Sequence, residues 1–333
     1  MAIRRYTPLI VLGAITVVLA VLPLLDVPQL WLLYMFHFFV FLAMANMWNL
    51  LAGFSGLLTL CPAAFIGLAG YTMTILTWLD VPFYVGILAG AAAAALFALV
   101  ISLSVFRMRG IYFAIGTLVV PEILRLVFLR WRPVGGMFSG GGAGYMVKGI
   151  MGVGLEDTYW LGLAIGIVSI VVVRIILRSK FGLGLAAIRD NDVSAASVGI
   201  DVFRLKLSSF VIGAFVMGAA GAIFYTYQGY LEPNGAFDIS WLMTAMLATV
   251  IGGIGLEEGP IAGAVVVVIL HFRLARYAGV SLLIQGLILV VIMLAAPQGI
   301  MGVLRDLRQT RGFRALSRWV YQTFSRQQEM GHG

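Results

Sequence analysis

The chain has 333 residues, of which 62% are hydrophobic and only 11% charged, and its mean hydropathy is +1.03. Soluble domains carry about 25% charged residues, so this composition argues against a soluble enzyme, a disordered tail protein and a nucleic-acid binder. A polytopic membrane protein remains. The net charge of +8 fits Lys and Arg retained on the cytoplasmic side of a membrane. The single cysteine excludes a disulfide framework and a thiolate metal site.

Ten stretches are long and apolar enough to cross a bilayer, which requires about 20 mostly apolar residues. We therefore predict an all-α fold with about ten transmembrane helices. The third, eighth and ninth stretches contain or adjoin glycine and proline, so we expect them to be broken or re-entrant. No A-x-A cleavage site follows the first stretch, which favours an uncleaved span over a secretory signal. The stretches run near Thr7–Leu25, Leu30–Leu51, Leu57–Leu79, Phe83–Phe106, Ile111–Leu129, Tyr159–Leu177, Leu207–Tyr230, Ile239–Gly255, Ile261–Arg276 and Val280–Ala296.

The distribution of Lys and Arg predicts the orientation. With both termini in the cytoplasm, sixteen of the 22 basic residues lie inside, as the positive-inside rule expects. The segment 178–206 then lies in the cytoplasm and the glycine-rich segment 131–157 lies outside. We predict a transmembrane domain at 1–304 and a basic cytoplasmic tail at 305–333. Spaced apolar residues in this tail are typical of an amphipathic helix on anionic headgroups.

The chain lacks motifs for nucleotide hydrolysis and other catalysis. A Walker A loop needs a Gly-Lys pair to hold phosphates, and none of the three lysines follows a glycine. His37, His271 and His332 are far apart in sequence. We interpret His37 as a packed or hydrogen-bonded residue and Cys61 as a small apolar filler. The chain is therefore not predicted to be an enzyme, and energy for transport would come from an ion gradient or a separate subunit.

The cytoplasmic segment contains the pattern of a short capped helix. Asp190 or Asp192 can cap its start, because a short carboxylate accepts backbone N–H groups. Val193–Val198 supplies a stretch of small residues, and Gly199 can adopt the left-handed conformation that ends a helix. Such a helix is too short to be stable alone. We predict that its Ala/Ser face docks in a groove of a partner protein.

This segment, Ala187–Ile200 (AIRDNDVSAASVGI), resembles the cytoplasmic coupling segment of branched-chain (hydrophobic) amino acid ABC transporter permeases of the LivM type. Asn49–Leu60 (NLLAGFSGLLTL), Arg109–Leu126 (RGIYFAIGTLVVPEILRL) and Pro297–Gly302 (PQGIMG) are similar to three further stretches of that family. The order and spacing of the four segments match over nearly the whole chain, so the resemblance is stronger than any single motif.

The resemblance implies a permease subunit of a binding-protein-dependent importer in the cell inner membrane. Its partners would be a second, LivH-like permease subunit, two ATPase subunits that bind ATP, and a periplasmic solute-binding protein. This chain itself would bind no cofactor. The sequence differs from the usual pattern of that family at Cys61–Pro62, Met137–Tyr145 and Gly252–Pro260. These differences weaken the inference that this chain shares the family's specificity for leucine-type solutes. Branched-chain amino acids, other amino acids, urea and short amides all stay open as solutes.

Two sets of candidate site residues follow. Those expected to couple the chain to the ATPase are Arg189, Asp190, Asn191, Asp192, Ala195, Ala196 and Gly199. Those expected on the translocation path are Asn46, Asn49, Ser55, Gly56, Thr59 and Glu122. The polar residues near Gly56 are explained equally well by helix packing. For Glu122, a structural pair with Arg125 is favoured over contact with the solute. The G-x-x-x-G spacings at Gly86–Gly90, Gly162–Gly166 and Gly259–Gly263 indicate packing by default.

Two other classes of protein are weaker alternatives. An ion-coupled secondary transporter would carry buried Asp, Glu or His in several spans as relays, and only Glu122 and His37 are serious candidates. An integral-membrane enzyme would need catalytic groups clustered at one depth, and the pattern predicts none.

Overall fold

The computed structural model of the chain describes residues 13–25, 27–108, 110–135, 139–150, 152–295 and 298–305. Several predictions made from the sequence therefore lie outside the described residues. They concern the start of the first span at Thr7, Arg109, Pro297 and the basic tail from residue 306 onward.

Helices make up most of the described chain. Two residues of the glycine-rich segment 131–157, Tyr145–Met146 (β1), pair antiparallel with Tyr230–Leu231 (β2). The helices are α1 Gly13–Leu25, α2 Gln29–Trp48, α3 Pro62–Trp78, α4 Phe83–Val105, α5 Ile111–Arg130, α6 Leu155–Arg178, α7 Lys180–Asp190, α8 Asp192–Ser197, α9 Val202–Gln228, α10 Pro233–Ala236, α11 Ser240–Gly252, α12 Gly259–Leu274 and α13 Ala278–Ala295.

Within the described residues, seven helical segments are long and apolar enough to cross a membrane. A helix lies at each of the ten predicted stretches, but α1, α3, α11 and α12 each have fewer than 18 residues. The all-α class is confirmed, while ten crossings and the orientation stay predictions. The seven segments are Gln29–Phe54, Phe83–Val105, Ile111–Arg130, Leu155–Arg178, Val202–Gln228, Pro233–Gly252 and Val280–Arg305.

The core is built around α2, which packs against α6, α9, α11 and α12, while α9 also packs against α3 and α4. Glycines let these helices approach closely, as in other membrane bundles. A Cβ at Gly162 would meet the Phe36 ring at 2.9 Å, and one at Gly166 would meet Phe39 at 3.0 Å. On α4, a Cβ at Gly90 would lie 2.5 Å from the Ala69 carbonyl oxygen. The packing interpretation of these G-x-x-x-G spacings is confirmed.

The first helix break follows α2. A π-helical turn at Asn49–Phe54 ends the helix, and α3 begins only at Pro62. The third predicted stretch, near Leu57–Leu79 and expected to be broken or re-entrant, is helical only from Pro62, and residues 57–61 form no regular structure. The physical reason is Pro62: proline suits the first turn of a helix because it lacks an N–H, and it disfavours helical conformation in the residue before it.

The second break separates α11 from α12. Gly253 has φ +121° and Gly255 has φ +74°, conformations that L side chains rarely adopt. The two helices fold back in direct backbone contact, because a Cβ at Gly263 would collide with the Ala248 carbonyl oxygen. The eighth stretch, expected to be broken or re-entrant, thus loses its helix at Gly252, whereas the ninth, for which the same was expected, lies in one continuous helix from Gly259 to Leu274.

Candidate functional site

The cytoplasmic segment predicted at 178–206 contains two helices joined by Asn191. Asn191 has an extended backbone, with φ −163°, and its Oδ1 accepts hydrogen bonds from the N–H groups of Val193 and Ser194, each at 2.9 Å. The prediction of Asp190 or Asp192 as the cap was therefore wrong. A capping residue needs a non-helical backbone, whereas Asp190 ends α7 and Asp192 begins α8.

The exposed face of α8 also differs from the prediction. Ala195 is only 2% exposed, so it cannot belong to a free Ala/Ser docking face, while Ala196 is exposed. Val193 and Val198 are 71% and 76% exposed and form the apolar part of the surface. Gly199 has φ +87°, which confirms the predicted left-handed end of the helix.

Arg189, at the end of α7, lies against the first helix break. Its Nη1 donates a hydrogen bond to the carbonyl oxygen of Gly53 over 3.2 Å. Its Cα would be 3.4 Å from a Cβ at Gly56, and its Nη1 would be 3.3 Å from a Cβ at Gly255. The sequence suggested only a rim charge at Arg189, but the side chain sits between the two helix breaks.

Asn49 joins the same two breaks from inside the protein. It is buried, its Nδ2 donates to the Leu256 carbonyl oxygen at 2.9 Å, and its Oδ1 accepts from the Gly255 N–H at 2.8 Å. Gly53 has no room for a side chain, because a Cβ there would lie 2.6 Å from the Gly255 nitrogen. We call the set Asn49, Gly53, Arg189, Gly255 and Leu256 the junction.

The remaining polar residues near the junction make hydrogen bonds inside the helix packing. Asn46 donates to Ser169 Oγ on α6 at 2.9 Å. Ser55 donates to the Leu51 carbonyl oxygen at 2.6 Å, and Thr59 Oγ1 lies 3.1 Å from Cys61 Sγ. All of these residues are buried. The structure thus brings Asn49 and Gly56 to Arg189, and gives Asn46, Ser55 and Thr59 packing contacts.

Glu122 lies apart from these residues, in an open cavity of about 400 Å³. Arg125 donates to both Glu122 oxygens, at 2.8 Å from Nε and 2.5 Å from Nη2, and its Nη1 donates to Asn234 Oδ1 at 2.9 Å. Two further polar residues of this space, Asn234 and Asp238, were not predicted from the sequence and come from the turn around α10. We call this space the Glu122 cavity; its lining is Leu60, Ala63, Leu118, Pro121, Glu122, Arg125, Asn234, Phe237, Asp238, Ile239 and Leu242.

An irregular segment, residues 57–61, connects the first break to the Glu122 cavity. The Trp48 indole N–H donates to the Thr59 carbonyl oxygen at 3.0 Å, and the Leu60 N–H donates to Thr117 Oγ1 of α5 at 2.9 Å. Leu60 itself lines the cavity. The chain that leaves the junction at Gly53 therefore reaches the wall of the cavity within a few residues.

Charged residues give the junction further links. Arg174 of α6 lies 3.5 Å from Glu257 in the second break. Asp192 of α8 forms an ion pair with Lys206 of α9. These pairs tie α6 to the second break and α8 to α9.

The two histidines within the bundle are neighbours, although far apart in sequence. The His37 and His271 ring centroids are 5.6 Å apart, among aromatic side chains, and His37 Nδ1 lies 2.9 Å from the Leu33 carbonyl oxygen. The packed, hydrogen-bonded interpretation of His37 is confirmed, and so is burial of Cys61. Among the described residues, no group of three or more His, Cys, Asp or Glu side chains could hold a metal ion.

Comparison with known proteins identifies relatives over most of this architecture. The chain is 27% identical to the high-affinity branched-chain amino acid transport system permease protein LivM of Salmonella typhimurium over 77% of its own length and 66% of that protein. Identity to LivM of Escherichia coli is 26% over the same shares. A probable branched-chain amino acid transport permease protein LivH of Methanocaldococcus jannaschii is 28% identical over 39% of the chain and 43% of its own length.

The chain spans just under two thirds of the length of the LivM proteins it matches. No solved structure is detectably similar to it. The family model described as the permease component of branched-chain amino acid transport systems matches residues 30–297, which include both helix breaks, the junction and the Glu122 cavity. This chain therefore belongs to the family of branched-chain amino acid transport system permease components.

Proposed function

We propose that this chain is the transmembrane subunit of a binding-protein-dependent ABC importer in the cell inner membrane. Its solutes would be branched-chain or other hydrophobic amino acids, or related small solutes such as amides and urea. The family is one of transport permeases, not enzymes, so ATP hydrolysis would take place on partner subunits. The partners would be a second permease subunit, two ATPase subunits and a periplasmic solute-binding protein.

The contact between Arg189 and both helix breaks is the observation that carries this proposal. An ATPase docked on α8 would meet the exposed side chains of Val193 and Val198. Arg189 follows directly on the other side of Asn191, at 3.2 Å from the Gly53 carbonyl oxygen. A movement of α7 and α8 would therefore reach the start of α3 and, through Asn49, the loop before α12.

Alternating access would use these helices as semi-rigid bodies. Packed helices shift as units about loop or element ends that absorb the change in backbone angles. The irregular residues 57–61 and the glycines at 253 and 255 are such places in this chain. The proposed orientation, with both termini in the cytoplasm, puts α7, α8 and both breaks on the side of the ATPase.

The test is transport by the complete complex in proteoliposomes. The chain is purified with its second permease and ATPase subunits and supplied with binding protein and radiolabelled leucine, isoleucine or valine. We expect uptake that requires both ATP inside and binding protein outside. A matched complex whose ATPase cannot hydrolyse ATP should give no uptake. Uptake by this chain alone, driven by an ion gradient in ATP-free vesicles, would contradict the proposal and favour a secondary transporter.

An exposed-surface variant tests the docking face separately. Val198→Asp puts a charge on a side chain that is 76% exposed, so folding should be unaffected. We expect the ATPase subunits to copurify less with this variant. Met146→Asp, at an exposed apolar side chain of the segment predicted to lie outside, is the control and should retain them. Equal retention in both variants would remove α8 as the docking site.

A further inference from the structure

We propose that the Glu122 cavity is a transit site for the charged ends of a zwitterionic α-amino acid. Arg125 would bind the substrate carboxylate, and the carboxylates of Glu122 and Asp238 would bind its ammonium group. The inference rests on the proposed function and narrows its solute class, because neutral amides and urea have no use for such a pair of opposite charges.

The charges of Glu122 and Arg125 would be costly in contact with lipid. Glu122 and Arg125 lie within an apolar helix whose neighbouring Leu118, Val119 and Ile123 are exposed on its surface. Ionisable side chains within membrane spans are expensive and usually face the bundle interior or a water-filled space. Here they line an open cavity instead of a sealed interior contact.

Arg125 and Glu122 have more hydrogen-bonding capacity than the bonds between them and to Asn234 use. A guanidinium has five N–H donors, and Arg125 directs three of its nitrogens at Glu122 and Asn234. The remaining donors on the two terminal nitrogens can bind a carboxylate in the planar, bidentate manner that Arg favours. The carboxylate of Glu122 likewise has lone pairs beyond those that Arg125 occupies.

The size and the polarity of the cavity suit a small amino acid. A volume of about 400 Å³ falls within the range of roughly 300–1,000 Å³ that is usual for small-molecule sites. Asp238 accepts the Ser240 N–H at 2.8 Å through one carboxylate oxygen. Opposite charges and apolar walls from Leu60, Phe237 and Leu242 together match an amino acid with a hydrophobic side chain.

The cavity is connected to the junction through residues 57–61. Leu60 lies in the irregular segment that begins at the first break, and its N–H is bonded to Thr117 on the helix that carries Glu122. Pro121, next to Glu122, removes one backbone hydrogen bond from that helix, which loosens it locally. A movement at the junction would therefore change the cavity walls and release a bound solute.

The experiment uses the complete complex with leucine as the probe. Arg125→Gln, Glu122→Gln and Asp238→Asn should each lower leucine uptake by about tenfold, as expected when a charge-assisted hydrogen bond is lost. Hydrolysis stimulated by loaded binding protein should stay within about twofold of wild type, since docking and coupling are untouched. Arg130→Gln, on the same helix but outside the cavity, should transport normally.

A charge swap separates substrate contact from a structural ion pair. Glu122→Arg combined with Arg125→Glu keeps the pair on one helix face but moves the guanidinium away from Asn234. Continued loss of uptake in the swapped variant supports the proposal, and restored uptake would overturn it. Wild-type uptake by the single variants would also overturn it.

A labelling measurement covers the case in which these variants fold poorly. Leu118→Cys places a thiol on the cavity wall, while the native Cys61 is buried. Leucine delivered by the binding protein should slow labelling at 118 but not in Ile115→Cys, one turn away and outside the lining. Unchanged labelling at 118 would contradict the proposal. If the wild-type complex takes up an amide or urea but no amino acid, the cavity proposal fails and the proposed function stands. If it takes up none of these solutes, the proposed function itself fails.

Discussion

The side chain of Arg189 donates a hydrogen bond from Nη1 to the carbonyl oxygen of Gly53, over 3.2 Å and 136 positions of sequence. It connects the end of α7 to the break after α2. Because Asn49 binds the backbone of Gly255 and Leu256 from the same turn, the end of α7 is connected to both helix breaks.

Removing the Arg189 side chain should uncouple hydrolysis from transport. Arg189→Ala loses the hydrogen bond to Gly53 and the guanidinium that lies beside Gly255, while α7 keeps its backbone. We expect the number of solute molecules taken up per ATP to fall severalfold, because a charge-assisted hydrogen bond contributes about 1.5–3 kcal/mol when fully made, and less here because the side chain is partly exposed. Uptake and phosphate release are measured together in proteoliposomes.

The matched control for Arg189 is Arg204→Ala. The Arg204 side chain is 83% exposed and pairs with Asp201, one turn away at the start of α9. Its loss should leave the ratio of uptake to hydrolysis unchanged. A similar fall in both variants would mean that positive charge on this surface, and not the contact with Gly53, matters for coupling.

Replacing Asn49 should destabilise the protein. Asn49→Leu fills a similar volume but leaves the Gly255 N–H without its partner and removes one of the two hydrogen bonds to the Leu256 carbonyl oxygen. A buried unpaired group costs about 1–3 kcal/mol, and the cost is lower here because Gly255 is half-buried. Asn49→Asp keeps the acceptor and should fall between wild type and the leucine variant. The midpoint of thermal unfolding in nanodiscs measures the effect. Gln29→Leu, at the exposed first residue of α2, should leave it unchanged; an equal shift there would contradict the role assigned to Asn49.

A methyl group at Gly263 should separate α11 from α12. Its Cβ would overlap the Ala248 carbonyl oxygen and lie 3.0 Å from the Gly252 nitrogen, both of which are backbone atoms that cannot rotate away. We expect Gly263→Ala to lower the free energy of unfolding by about 1–3 kcal/mol. In Gly286→Ala, the new Cβ would have no heavy atom within 4 Å, so stability should hold or rise by at most about 1 kcal/mol. Thermal unfolding of the two variants side by side decides between packing and a general intolerance of alanine.

The two adjacent alanines of α8 should respond differently to arginine. Ala195 is buried, so Ala195→Arg should disrupt the local fold and lower the yield of folded protein, since a buried charge without a partner is costly. Ala196 is exposed, so Ala196→Arg should fold normally and weaken copurification with the ATPase subunits. Yield on size-exclusion chromatography and copurification are the two measurements. Normal copurification of folded Ala196→Arg would exclude this face as the docking surface.

Much of the fold could be predicted from composition and spacing, because a membrane imposes strong local rules. Apolar stretches near twenty residues predicted ten helices, and the structure has a helix at each of these places. Glycine and proline near residues 56–62 and 252–260 predicted interruptions there. The prediction of the residue that caps α8 was wrong. The pattern did not distinguish Asn191 from Asp190 or Asp192, because Asn and Asp both cap helices well. Only the backbone conformation selects one of the three.

The candidate sites depended on distances that no local pattern contains. Arg189 looked like a rim charge, because nothing in its neighbourhood signals Gly53. Nothing in the local sequence indicates that Asn234 and Asp238 share a cavity with Arg125. Asn234, which bonds to Arg125, is 109 positions away in sequence.

The sequence by itself determined that the chain is a bundle of apolar helices, where the helices break, and which family it resembles, because hydrophobicity, glycine and proline act over a few residues. Only the tertiary structure decided which break faces which, that Asn49 and Arg189 hold the two together, and that opposite charges meet in one cavity. Hydrogen bonds and ion pairs act over about 3 Å, so their partners are set by how the helices pack.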